Sequence, residues 1–551
     1  MRAFSHTAAA LAATLCVGVL AGACGGGTTG SGPSSAAGAP VNGGTLLAGI
    51  PANPDHLDAA FSATTEGWEI LEATNDGLVT FRRTGGGAGS QVVPDLATAL
   101  PAITDRGLVY TFHVRSGVHF SPPVNRSVLP SDVKWSIERV LRMNTSNVSW
   151  YTGIVGAVAY ETHHAPSVSG IVANDRAMTI SFHLTQPDGT FLDYLAVPSA
   201  FVYPAGTPLK DISTDSQYRV ATGPYMISSY TPNQQVVLTR NPNFRPWPNT
   251  PGGHLAKIQI SVGVTPEQAV NETADGQLDW YFENPPPDRL AQLQRQYPSR
   301  VHKAPTGEIE YFSMNERLYP FNKLAVRQAV NYALNRQSML KLEGGQGVVS
   351  ENIIPPTFGT AYKQHTFYPY DPAKAKQLIA GAGVGGAHVT VWVLNTDPYP
   401  NVAQYVASVL NSLGMVASVR VVDASVYWDL IATQKDDPQI AYNNWSQDFP
   451  EGEDFIDTQL NGQGIVNVGN NNQSNVNIQA YNRLIDQAKR MPLGDARNAI
   501  WARLDAAYTK NNAPWVVFMN AARYKFVSAR LHGLVFNGTY YDLFPSMWVN
   551  G

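Results

Sequence analysis

Hydrophobic positions change period along this chain, and the changes predict its elements. From Leu108 to Phe120, Val109, Thr111, His113 and Arg115 alternate with Tyr110, Phe112 and Val114. A period of two predicts a strand with one wet face. Met178–Leu184 and Gln235–Pro242 read the same way. Between the first two, PSDVKWSIERVLRM puts Val133, Ile137, Val140 and Leu141 on one helical face, with Ser131 or Asp132 as N-cap. The second half is more regular. Asn322–Leu340 carries a stripe of Val326, Ala329, Val330, Ala333 and Leu334, which predicts one helix. A further helix begins at Asp371 and Pro372, runs along Ala375, Leu378 and Ile379, and stops at Gly381 or Gly383. Then follow a strand (HVTVWVLN), a helix over Val402–Leu413 stopped by Gly414, and a strand (VASVRVVD). Two more helices, near Tyr481–Arg490 and Asp495–Tyr508, precede PWVVFMN. This strand–helix–strand order predicts an α/β fold with some parallel pairing.

Length adds that 551 residues exceed one ordinary core, so two or three lobes are expected. With 44% hydrophobic and 15% charged residues the body is folded, not disordered. A net charge of −4 with scattered Lys and Arg excludes a nucleic-acid surface, which needs a basic face. The first residues read as an address. Arg2 precedes an apolar run ending near Leu20, too short to span a bilayer comfortably. LAGAC follows, with Ala21, Gly22 and Ala23 before Cys24, and resembles a bacterial lipobox. Its preferred Leu lies one step early, at Leu20. Residues 1–23 are therefore expected to be a signal peptide, with Cys24 lipidated. The alternative is ordinary secretion after cleavage near Ala23. Cys16 leaves with the signal, so no intramolecular disulfide is expected. The Gly/Ser/Thr-rich tract to Gly44 reads as a flexible tether holding the body on the extracytoplasmic face of the membrane.

The candidate chemistry lies in NNWSQDFPEGEDF, Asn443–Phe455. Four acids (Asp448, Glu451, Glu453, Asp454) are threaded among Trp445, Phe449 and Phe455. Rings tend to be buried and lone charges do not, so the acids need a partner. A calcium loop is excluded by spacing: Gly452 comes too early and no bidentate Glu follows. Glu451, Glu453 and Asp454 fit a solvated turn, or the cap of a helix starting near Phe455. Other sites are weaker. His163–His164 beside Glu161 reads as solvent-exposed rather than metal-bound, and His113, His119 and His183 as sheet residues. Gly85–Gly89 reads as a flexible hairpin. No nucleophile elbow, zinc helix or phosphate loop occurs, so neither enzyme activity nor a cofactor is expected.

Six blocks, in order, carry a resemblance: VVPDLATALPAITDRGLVYTFHVRSGVHF, SDVKWSIERV, ATGPYMISSYTP with LTRNPNF, IEYFSMNERLYPFNKLAVRQAVNYALNR, YPYDPAKAKQLIAGAG and WSQDFPEGEDF. The chain resembles the extracytoplasmic solute-binding proteins of the oligopeptide/dipeptide/nickel class, family 5, which serve ABC importers. The resemblance implies an α/β, periplasmic-binding-protein-like bilobal clamshell of class II with an extra inserted domain. Mapped by motif order, residues 45–76, 200–302 and 521–551 form one lobe, 77–199 the inserted domain and 303–520 the other lobe. In peptide-binding members an Asp three residues after a strand-ending Trp receives the peptide ammonium, and Trp445 and Asp448 match that spacing. A charge-assisted bond there is worth about 1.5–3 kcal/mol net. Asn444 and Ser446 would offer backbone groups to an extended ligand, and Trp445 and Phe449 would exclude solvent. Asp448 reads equally as a turn or cap residue. The chain departs from the pattern at Tyr442, where the best-known oligopeptide binders carry Arg. The implied function is capture of short peptides by a monomer that hands them to a permease. A non-peptide solute (a nickel chelate, haem or a sugar), or an accessory envelope lipoprotein regulating a partner enzyme, is the alternative.

Overall fold

The computed structural model describes residues 39–145 and 147–550; the predicted signal peptide and Cys24 lie outside them. The body is mixed α/β. One half is built on a five-stranded sheet in the order Trp280–Tyr281, Thr45–Ile50, Lys257–Val262, Gln235–Arg240, Tyr225–Thr231. Thr45–Ile50 runs parallel to both its neighbours, and the remaining pairs are antiparallel. Leu46, Ala48, Tyr225, Ile258 and Trp280 fill its core. The other half holds a six-stranded sheet in the order Gly347–Val349, Trp515–Phe526, Val301–Met314, Ile440–Ser446, His388–Leu394, Val416–Val422. The predicted parallel pairing is here: His388–Leu394 runs parallel to both its neighbours. Helices on both faces bury two cores, one around Phe312, Val330 and Val406, the other around Ile309, Phe455 and Trp501. A four-stranded antiparallel sheet, Ala102–Thr104, Val109–His113, Thr179–His183, Ile171–Asn174, carries a separate core with Phe112, Ile137 and Phe182.

Two strands cross between the halves. Val301–Pro305 pairs with Phe526–Ala522, the register then shifts, and Ile309–Ser313 pairs with Asn520–Trp515. Such a bulge bends a ribbon and re-aims the side chains beside it. The shift spans Thr306, Gly307 and Glu308.

Several boundaries differ from the sequence expectation, each for a local reason. The helix at Pro130–Met143 has Leu129 as N-cap; Asp132 sits at the third position and accepts the Leu129 backbone N–H at 2.8 Å. Asn322–Leu340 is not one helix but two, Leu324–Ala333 and Arg336–Leu342. Asn335 breaks it by capping the second helix, accepting from Ser338 N–H at 3.0 Å. Gly85–Gly89 is no flexible hairpin. A short 3-10 turn, Gly86–Ser90, packs on Pro356–Ala361, where a Cβ at Gly87 would stand 2.8 Å from the Gly359 Cα. His163 lies 2.6 Å from Arg142 Nη1, an arrangement unsuited to a metal ligand.

Candidate functional site

The site grows from the end of the strand Ile440–Ser446. Residues directly opposite on antiparallel strands share a face, so the register sorts its side chains. Trp445 lies opposite Ile309 and packs into the core of Phe455 and Trp501. Asn444 lies opposite Glu310, and Ser446 opposite Glu308, both on the other face. The outer edge of this strand is paired only at Ile440 and Ala441. The Tyr442 carbonyl points to that edge and accepts the Tyr427 hydroxyl at 2.7 Å. Period two then turns the N–H and C=O of Asn444 and Ser446 to the same side, where no strand follows among the described residues.

The acids divide sharply. Of the two readings of this acidic stretch, the helix cap holds and the solvated turn does not: Glu451 is 4% exposed, Glu453 7% and Asp454 2%. Glu451 caps a helix beginning at Gly452, three residues before Phe455. Its carboxylate also accepts from Arg497 Nε and from the Trp501 indole N–H. Glu453 accepts from Arg497 Nη2 at 2.8 Å and from the Thr190 hydroxyl. Asp454 accepts the Asp448 backbone N–H at 2.9 Å and so fixes the loop. Three of the four acids thus have their donors within the chain.

Asp448 does not. Its side chain is exposed, with the acidic helix start of Asp454 beside it. Among the described residues no cation pairs with it. Partial desolvation by the neighbouring protein raises its carboxyl above the usual range. Burial, then the nearby Asp448 charge, pushes Asp454 up much further. Two neighbouring carboxyls without a cation form a site short of positive charge.

Phe449 points elsewhere. It is 5% exposed and meets Tyr194 and Trp150 edge-on, with centroids 5.4 and 6.3 Å away. Here the four-stranded domain docks on the six-stranded half. Gly189 N–H donates to the Lys489 carbonyl at 2.8 Å, in a fit where a Cβ would meet the Met491 oxygen at 1.9 Å. Ser446 and Asp448 are thus exposed and Asn444 is half-buried, while Trp445 packs partly buried against the core of Phe455 and Phe449 is buried.

The sequence reading missed the contacts that join this loop and the crossing strand to the C-terminal segment. Gln447 N–H donates to the Gly307 carbonyl at 2.9 Å, and its amide donates to Thr539 Oγ1 at 2.8 Å, spanning the two halves. Arg523 donates to the Phe282 carbonyl at 2.6 Å and lies over the rings of Phe282 and Tyr541, at 4.2 and 4.6 Å. Tyr541 holds φ +63, a left-handed backbone that few bulky residues adopt. Burial pushes its phenol up to about 12, so it stays a donor. Beneath it Lys525, Asp542 and Glu69 form a buried polar group, with Lys525 Nζ 3.2 Å from Asp542 and Asp542 N–H 2.6 Å from Glu69. Desolvation lowers Lys525 to about 8. A signal existed: Arg523 and Lys525 are the charged residues of a largely apolar strand, WVVFMNAARYKF.

The sequence profile of the bacterial extracellular solute-binding proteins, family 5, matches residues 91–467. The chain belongs to that family. Among curated relatives, Heme-binding protein A of Haemophilus influenzae is 26% identical over 498 residues, covering 86% of each chain. A dipeptide-binding protein of Pseudomonas aeruginosa is 25% identical, covering 87% of this chain and 90% of its own. Among solved structures, the clavulanic acid biosynthesis oligopeptide binding protein 2 superposes with a TM-score of 0.82 at 21% identity, over 93% of this chain and 96% of that one. DppA of Helicobacter pylori in complex with the peptide STSA gives 0.69 at 22%, over 93% and 99%. The family 5 protein is thus a bilobal clamshell with an additional domain, in a family of binding proteins. No helix among its described residues is long and apolar enough to cross a membrane.

Proposed function

We propose that this family 5 protein captures short peptides with a free amino terminus, from outside the cytoplasmic membrane, and delivers them to an ABC importer. The observation that carries this is Asp448: an exposed carboxylate that no cation among the described residues pairs with, set beside the open edge of a strand. The edge groups of Asn444 and Ser446 can pair with any extended backbone, and the acid with any α-ammonium. Both features are common to all peptides, so the reading predicts selection for peptide ends over side chains. The names of the peptide-binding relatives support it. The two lobes are assigned to 45–76, 200–302 and 521–551, and to 303–520, with 77–199 as the inserted domain. They hinge on the crossing strands at the 306–308 register shift. The protein acts as a monomer, without enzymatic turnover.

Calorimetry with trialanine and its N-acetyl derivative tests this. The free peptide should bind at least about ten-fold tighter, 1.4 kcal/mol per decade. Equal affinities would remove Asp448 as the amine site. Lipid anchoring through Cys24 has its own test. Cys24→Ala, expressed in a host that lipidates such proteins, should move the protein from the membrane to the soluble fraction; unchanged fractionation refutes the anchor.

A further inference from the structure

A hollow that shares no residue with the Asp448 loop lies where the four-stranded domain meets the segment returning to the five-stranded half. Its volume is about 730 Å³, an ordinary size for a small-molecule site. The helix Pro130–Met143 supplies Trp135 and Arg142. The short helix Ala157–Glu161 and the turn after it supply Tyr160 and His163, and the returning segment supplies Leu209 and Lys210. Trp135 is fixed across the junction, its indole N–H donating to the Thr207 carbonyl at 3.0 Å. Leu209 is 47% exposed, an apolar side chain that lines the hollow instead of a core.

No carboxylate lines this hollow, whereas Arg142, His163 and Lys210 do. The half-buried Arg142 lies over the Tyr160 ring, 3.7 Å from its centroid. It donates to His163 Nδ1 at 2.6 Å and to the Ala165 carbonyl at 3.0 Å. None of these partners carries a negative charge. With Nδ1 accepting, the His163 hydrogen sits on Nε2, which has no partner among the described residues. His163 holds φ +63 at the helix end, a left-handed position that glycine commonly fills, so its imidazole is placed beside Arg142 against a backbone preference. The acids nearby are engaged elsewhere. Glu138 accepts the Val168 N–H at 2.8 Å, and Asp211 is held by His56 and Ser213. Asp215 meets Lys210 at 3.4 Å, but the Lys210 side chain stays 60% exposed.

A ring face attracts a guanidinium without neutralising it, and a part-buried charge without a counter-ion is costly. Apolar walls with only cationic and neutral donors between them select a guest by its chemistry. A metal ion or an ammonium is repelled, and a neutral apolar molecule leaves the arginine uncompensated. A flat apolar body with one anionic head satisfies both surfaces, and guanidinium binds carboxylate through paired N–H···O bonds. We infer that this hollow is a second binding site, for a free amphipathic carboxylate of the aromatic-acid type. Arg142 takes the carboxylate, Trp135 and Leu209 cover the apolar body, and Lys210 adds charge at the rim. The site is independent of the peptide reading, since nothing in it depends on Asp448.

The test is calorimetry on the purified protein with 2-naphthoate and its uncharged twin 2-naphthamide. The acid should bind at least about ten-fold tighter than the amide. In Arg142→Gln that ratio should fall to within about two-fold. Should this variant fail to fold, Lys210→Glu, at an exposed position, decides: it should weaken naphthoate by about five-fold or more and leave the amide unchanged. Excess trialanine should not displace naphthoate. Equal binding of acid and amide, no binding of either, affinities that neither variant alters, or displacement by trialanine each overturns the site. Sedimentation of the protein with phosphatidylglycerol vesicles, abolished by Lys210→Glu, would give the hollow to a lipid surface and overturn the assignment to a free solute.

Discussion

Asp448→Asn should weaken binding of free-amine peptides by about ten-fold or more, while slightly raising the melting temperature of the empty protein. The first effect follows from removing the one negative charge at the strand end that no internal donor claims. A charge-assisted bond to a desolvated ammonium contributes about 1.5–3 kcal/mol, or roughly one to two decades of affinity. The second follows from the neighbour. Asp454 is buried and accepts the Asp448 N–H, and the Asp448 charge disfavours its ionised form. The amide keeps the loop and its backbone donor and removes that repulsion. A structural role would give the opposite pair of results: lost stability, and no distinction between free and blocked ligands. Calorimetry with trialanine and N-acetyl-trialanine on both proteins, with melting curves alongside, separates the two. The blocked peptide should bind both proteins alike. Loss of melting temperature in the variant would mark Asp448 as a cap.

The same stretch shows how far the sequence could be read. Patterns of period two and 3.6 find elements because one face of each is buried: Val109–His113 and Pro130–Met143 lie where the alternation and the stripe put them. The parallel pairing of His388–Leu394 followed from strand–helix–strand order alone. What failed depended on long-range partners. The helix cap at Glu451 was legible, but the burial of the acids was not, because Arg497, which two of them meet, lies more than forty residues on and inside another helix. The glycine run at Gly85–Gly89 looked free because Gly359, against which it packs, gives no local signal. Phe449 looked like a cleft wall because nothing near it announces Trp150 and Tyr194. The segment of Arg523 and Tyr541 left one local signal, two cations in a largely apolar strand, but nothing nearby announced Phe282, over whose ring Arg523 lies.

Arg497→Met should destabilise the folded protein by about 3–5 kcal/mol, the cost of stranding buried charges by removing their partner. Arg497 is fully buried, and it joins Glu451, Glu453, the Met491 carbonyl and the Thr190 hydroxyl. It therefore ties two helices of the six-stranded half to the four-stranded domain, close to where Gly189 leaves no room for a Cβ. The loss should depend on pH in a defined direction. Burial, partly offset by Arg497, already raises Glu453 from 4.5 to about 7. Without the arginine it rises further, so the folded variant binds a proton that the unfolded chain releases near 4.5. A carboxyl raised on folding stabilises the folded state below its unfolded pKa, and that contribution is lost as pH climbs through the folded value. The gap between variant and parent should therefore be small at pH 5 and widen through pH 7 to 8. Urea unfolding at pH 5, 6.5 and 8 measures it. A gap that is constant or narrows with pH would mean that the acids are not stranded, and that Arg497 acts through packing alone.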